Sequence, residues 1–121
     1  MITATNLTKK YNGTTVLNIE HLDIPTGQSL GLVGNNGAGK TTFFSMLLDL
    51  IQPTTGNIFN HDITVSQNEE WKEFTSSFID ESFLIGYLTP EEYFYFIGDL
   101  RKQNKADVDA LLLTFEDFFH D

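Results

Sequence analysis

The chain has 121 residues, 17 acidic against 7 basic side chains and a formal net charge of −10, so it holds one domain at most and is a poor candidate for gripping nucleic acid through phosphates. The acidity is uneven: through His61 there are three acidic and three basic residues, and from Asp62 onward fourteen and four, which reads as a solvated acidic surface on the second half. There is no cysteine, hence no disulfide or thiolate metal site, and no apolar run nears the ~20 residues that span a bilayer; with no signal-peptide pattern at the N-terminus, the chain is expected in the cytoplasm.

Residues 2–7 alternate weakly and read as a strand. Residues 9–13 form a turn, with Asn12-Gly13 as the hairpin signal. Residues 14–24 carry Thr15, Val16, Leu17, Ile19, Leu22 and Ile24 and read as one or two strands, stopped by Pro25-Thr26-Gly27. Residues 29–33 (Ser-Leu-Gly-Leu-Val) are an apolar run expected to be a buried strand, and residues 42–51 an all-round apolar helix expected to be buried. Pro53-Thr54-Thr55-Gly56 turns the chain into a short strand at residues 57–60. Residues 65–72 are polar helix or loop, and residues 74–79 read as another strand. Thr89-Pro90-Glu91-Glu92 is a capping box that opens a helix with Tyr93, Phe96, Ile97 and Leu100 on its apolar face. A last helix is expected from about Asp107, with Val108, Leu111, Leu112, Phe115, Phe118 and Phe119 along one side. That apolar side needs something to pack against.

Between the apolar run and the helix, residues 34–41 read Gly-Asn-Asn-Gly-Ala-Gly-Lys-Thr, the pattern G-x-x-x-x-G-K-[ST]. Glycines let successive backbone N–H groups turn inward and cradle phosphates, and the following helix adds partial positive charge at its N-terminus. Lys40 is placed to reach the β- and γ-phosphates, and the Thr41 hydroxyl to ligate Mg²⁺. The bland alternative is a glycine-rich turn with a surface lysine; the strand–loop–helix setting favours the phosphate loop.

The order of segments resembles the ATP-binding cassette (ABC) family, the motor domains of ABC transporters. Residues 7–13 (Leu-Thr-Lys-Lys-Tyr-Asn-Gly) resemble its aromatic loop, and residues 31–42 match its phosphate loop nearly position for position. Residues 53–58 (Pro-Thr-Thr-Gly-Asn-Ile) resemble the segment after the phosphate-loop helix, and residues 88–92 the start of its helical subdomain. The resemblance spans essentially residues 1–121. It implies an α/β P-loop NTPase of ABC type: an antiparallel β subdomain, a partial P-loop core and the start of the helical subdomain. It implies ATP and Mg²⁺ as ligands. It further implies that Tyr11 stacks on adenine and Val16 packs near the ribose. The phosphates would be held by Gly34, Asn35, Asn36, Gly37, Ala38, Gly39, Lys40, Thr41 and Thr42, with Lys40 as the catalytic residue. Expected partners are a transmembrane transporter subunit or domain and a second cassette, without nucleic acid, placing the chain peripherally on the inner face of the cell membrane. Phe94 and Tyr95, off the expected apolar face, are candidates for meeting the membrane partner.

Two departures qualify the resemblance. Where the family has a Gln that touches Mg²⁺ and the attacking water, this chain has Glu81, whose carboxylate can ligate Mg²⁺ but, ionised, cannot donate a hydrogen bond. The signature L-S-G-G-Q, the Walker B Asp with its catalytic Glu, and the switch His do not occur in the sequence. The 121 residues are therefore expected to be part of a longer cassette, binding nucleotide weakly and not hydrolysing it alone. The other readings are a truncated, non-hydrolysing nucleotide-binding or regulatory protein, a GTPase, a small-molecule kinase, or a soluble translation-factor cassette. The GTPase reading rests on Asn104-Lys105-Ala106-Asp107, which fits N-K-x-D but follows the polar end of a helix and lacks any D-x-x-G companion. A kinase lid would need arginines, and the chain has only Arg101. His21, His61 and His120 are isolated and show no metal spacing.

Overall fold

Asn12 and Gly13 both take positive φ, 49° and 81°, the combination a two-residue hairpin turn requires. They join β1 (Ile2–Tyr11) to β2 (Thr14–Ile24), one continuous strand, in the computed structural model of the chain. The structure describes residues 1–35, 37, 39–80 and 84–118, without the side chain of Phe118. They fall into two units, Met1–Ile79 and Asp80–Asp121.

In the first unit, β3 (Thr55–Asn60) pairs with the other edge of β1 and β4 (Ile63–Thr64) with β3, giving an all-antiparallel sheet in the order β2-β1-β3-β4. His61 and Asp62 again take positive φ and form the β3–β4 turn. Two bulges shape the sheet. Between β1 and β2 the register slips where Lys9 faces Leu17 and Lys10 faces Thr15, leaving Val16 as the extra residue of β2. Between β1 and β3 it slips from Thr5–Asn57 to Thr8–Thr55, and Asn6 turns to φ 49°. There Gly56 is required: at φ +87° a Cβ would lie 2.3 Å from the Asn6 carbonyl oxygen.

Helix α1 (Lys40–Leu47) lays Phe43 and Met46 on this sheet, where they join Ala4, Leu7, Ile58, Val65 and Trp71 in one core. The Trp71 indole N–H is satisfied by the Val65 carbonyl at 3.1 Å. Full burial of a side chain such as Leu7 contributes about 1.5–3 kcal/mol.

Three expectations are corrected here. The helix expected over residues 42–51 ends early, because Asp49 turns to φ 58° and the Leu50 N–H bonds back to the Ser45 carbonyl at 2.8 Å. It is not buried all round: Phe44 is about half exposed. Neither residues 29–33 nor residues 74–79 form strands: Val33 is 92% and Phe78 72% exposed. An extended apolar run becomes a strand only when a neighbour supplies the ladder, and among the described residues neither run is paired with one.

The second unit is a helical hairpin. Helix α2 (Pro90–Leu100) opens on the expected box: Thr89 accepts from the Glu92 N–H at 3.2 Å and Glu92 from the Thr89 N–H at 3.1 Å. Helix α3 (Lys105–Thr114) starts two residues before Asp107, on a second box in which Asn104 is the N-cap and Asp107 the reciprocal acceptor. The face of α2 that meets α3 also differs from the expectation. Gly98 comes so close to Val108 that a Cβ would lie 2.5 Å from its Cγ2. Phe94, Ile97 and Gly98 line an open groove with Val108, Leu111, Leu112 and Phe115, in which Phe94, Leu111 and Phe115 stay exposed; Phe96 and Leu100 are exposed outside it. Tyr95, expected off the packed face, is part-buried and donates to Asp109 on α3.

Candidate functional site

The loop of residues 34–39 enters α1 through Gly39, which sits at φ 97°, ψ 6° as the N-cap. No side chain caps this end, and no acidic residue lies in the first turn. The N–H groups of Lys40, Thr41 and Thr42 have no intrahelical acceptor by position, since only from Phe43 does the chain reach back, to Gly39 at 2.9 Å. Such an end attracts an anion.

The β1–β2 hairpin forms the opposite wall. The bulge at Val16 brings that residue's carbonyl against the loop, so that a Cβ on Gly39 would come within 2.6 Å of it. Bulges re-aim side chains next to sites, and here the displaced Val16 lines a cavity of about 400 Å³ with Gly37, Gly39, Lys40, Thr41 and Thr42. This brings together five of the loop residues singled out in the sequence and the one assigned to the ribose. Tyr11 stands at the end of β1, paired with Thr14 and about half exposed. Gly34 and Asn35 are exposed, and each offers its carbonyl to the Lys40 ammonium, Asn35 at 2.9 Å. Lys40 is thus folded back along its own loop, with its charge held beside the open helix end. Asn36, Ala38 and Glu81 lie outside the described residues.

These groups fit a phosphate chain: a cation, a set of N–H donors without an intrahelical acceptor and no competing carboxylate in the first turn. For a divalent cation the described residues offer the Thr41 hydroxyl, and among them no cluster of three or more His, Asp or Glu gathers to hold a metal. Lys40 and Thr41 also border a wider cavity of about 570 Å³, walled by Leu32, Phe44, Phe78 and Ile79. Its walls are largely apolar side chains from β1, α1 and the two unpaired segments, so phosphate chemistry belongs to the smaller cavity beside the glycines.

The bulge at Val16 carried no signal in the sequence, since Thr14 to Leu17 reads as plain strand. The N-K-x-D pattern has a structural explanation: its Asn and Asp are the two halves of the α3 capping box. No helix among the described residues is long and apolar enough to cross a membrane.

The family model described as ABC transporter matches residues 17–119. The bacitracin transport ATP-binding protein BcrA of Enterococcus faecalis is 50% identical over 58 residues, 48% of this chain and 19% of that protein. The lipopolysaccharide export system ATP-binding protein LptB of Escherichia coli is 42% identical over 65 residues, 54% of this chain and 27% of that protein. Among solved structures, the dimeric bacterial ABC transporter cassette MJ0796 superposes with a TM-score of 0.72 at 23% identity, over 86% of this chain and 49% of the cassette. The chain therefore spans about half of that cassette and a smaller share of the two transport proteins.

Proposed function

The chain belongs to the ABC transporter family, and from that premise we propose that it is the nucleotide-holding half of a cassette, one that binds Mg-ATP through its phosphate loop and whose intact form couples ATP binding and hydrolysis to transport across a membrane. The observation that carries the reading is the uncapped N-terminus of α1, closed on one side by Lys40 and on the other by the Val16 bulge.

In this reading the N–H groups of Lys40, Thr41 and Thr42 and those of the loop donate to phosphate oxygens. The Lys40 ammonium exchanges the carbonyls of Gly34 and Asn35 for the terminal phosphates. The Thr41 hydroxyl contributes one ligand to Mg²⁺, which supplies charge neutralisation at the phosphates when bound, and Glu81 is a candidate second ligand. Tyr11 holds the base and Val16 the ribose. A positioned base or water-orienting residue is also needed for phosphoryl transfer to water. None of residues 1–121 is assigned that role, so these residues bind without turnover. Residues 1–121 are one partial ATP-binding domain, and the intact cassette works with a second cassette and a transmembrane subunit, peripheral to the cytoplasmic face of the membrane.

A phosphate-release assay separates binding from turnover. The expected result is no sustained release from Mg-ATP above buffer. Sustained release that Lys40→Ala abolishes contradicts the non-hydrolysing part of the proposal.

A further inference from the structure

The ring assigned to the base does not stand alone. Lys9 and Tyr11 are two apart on β1 and so share a face of the strand. The Lys9 ammonium lies 5.2 Å from the centroid of the Tyr11 ring, within cation–π range. It also donates to the Gln52 carbonyl at 2.6 Å. Among the described residues no carboxylate pairs with Lys9. Its charge is therefore shared between a backbone dipole and the aromatic face.

Gln52 belongs to a strap that follows α1 and ties it to β1. The Thr54 N–H donates to the Thr8 carbonyl at 2.8 Å, and the Lys10 N–H donates to the Thr54 hydroxyl at 2.9 Å. The Thr55 hydroxyl reaches the Asn6 carbonyl at 3.1 Å. The strap fixes the Lys9 ammonium relative to the helix that carries Lys40 and Thr41, and Lys9 in turn fixes the ring.

We propose that Lys9 is a positioning residue for nucleotide recognition: anchored on the Gln52 carbonyl, it closes one face of Tyr11, so that the base of a purine nucleotide stacks on the other face, at a fixed distance from the phosphate loop. The inference rests on the reading of Tyr11 as the base-stacking residue. A cation behind the ring also draws electron density from it and strengthens its stacking against a base, whose edges carry the base's own polar groups.

The test compares two ligands, Mg-ATP and inorganic tripolyphosphate, which has the phosphates without the base. Dissociation constants are measured for the wild type and for Lys9→Met, Lys9→Arg and Tyr11→Ala, each checked for folding by urea unfolding. Tyr11→Ala should weaken ATP about tenfold and Lys9→Met about fivefold, with tripolyphosphate unchanged in both. Lys9→Arg should restore ATP affinity, because a guanidinium keeps the cation and the donor. If Lys9→Met does not fold, Lys9→Gln replaces it; that variant keeps a donor for Gln52 and lacks the charge. Loss of both ligands alike in the Lys9 variant overturns the proposal in favour of a general structural or charge role. An unchanged ATP affinity in that variant, beside a weakened Tyr11→Ala, overturns it and leaves the stacking reading standing. An unchanged ATP affinity in Tyr11→Ala overturns both.

Discussion

Gly39→Ala tests whether the contact between the phosphate loop and the β-hairpin is as tight as the structure has it. Two effects add at this position. Alanine at φ 97° lies in the left-handed half of backbone space, which costs about 1–2 kcal/mol. The new Cβ also meets the Val16 carbonyl oxygen at 2.6 Å and the Leu17 side chain at 3.2 Å. The first obstacle is backbone, so relief requires the loop or the bulge to move, at about 1–3 kcal/mol for overpacking of this kind. Gly27→Ala isolates the first effect, because Gly27 has φ 81° with nothing within 4 Å of its Cβ position. In urea unfolding, Gly39→Ala should be less stable than Gly27→Ala by about 1–3 kcal/mol, a midpoint lower by roughly 1 M at the usual slope. Because relief pulls the loop away from Val16, the affinity for Mg-ATP should fall with it in Gly39→Ala and hold in Gly27→Ala. Stabilities within about 0.5 kcal/mol of each other, the scatter of surface substitutions, would refute the reasoning.

Three further outcomes follow from other parts of the fold. Thr89→Ala removes the hydroxyl that accepts from the Glu92 N–H in the α2 capping box and should lower the local stability of α2 by about 1 kcal/mol, read as faster hydrogen exchange in residues 93–97; unchanged exchange speaks against the box. Leu7→Ala opens a cavity at a fully buried position and should destabilise the first unit by about 2–5 kcal/mol; a loss under 1 kcal/mol in urea unfolding would show that the core described here is not the one that forms. Asp23 accepts from His21 at 2.9 Å and from Thr3 at 3.0 Å, and these bonds, the His21 one foremost, hold its carboxyl below its ordinary 3.8. Its contribution to stability is thus complete above that value and is lost as pH falls through the lower, folded one. Carbon NMR titration should place Asp23 below 3.8 in the wild type and nearer to it in His21→Gln; a wild-type midpoint at or above 3.8 contradicts the two bonds.

The sequence was most legible where a local device decides the structure. Asn12-Gly13 announced the hairpin, Thr89 and Glu92 announced α2, and the Gly-rich octet before Thr42 announced the loop and its helix. Each of these is settled by residues a few positions apart. What was not legible depends on residues that are near in space and distant in sequence. The bulge that aims Val16 at the phosphate loop arises from the pairing of Lys9 and Lys10 with the facing strand. The face of α2 that packs is set by Gly98, whose missing side chain lets Val108 approach; of the expected stripe Tyr93, Phe96, Ile97 and Leu100, Ile97 lines the groove while Phe96 and Leu100 are exposed. The apolar runs at residues 29–33 and 74–79 have the composition of buried strands, but composition cannot supply the partner strand that would make them so. Asn104-Lys105-Ala106-Asp107 shows the converse: a pattern that fits a nucleotide motif is in this chain a helix cap.

The most direct test of the central claim is calorimetric titration of Mg-ATP into the wild-type chain and into Lys40→Met. Removing a cation that meets phosphate oxygens should weaken binding about 10- to 100-fold, the range for hydrogen bonds to charged groups, while the urea midpoint stays near that of the wild type. Saturable binding in the wild type and its loss in the variant is the outcome the account predicts. Equal affinities in the two proteins, or no saturable binding in a folded wild type, would contradict the reading of residues 34–42 as a nucleotide site.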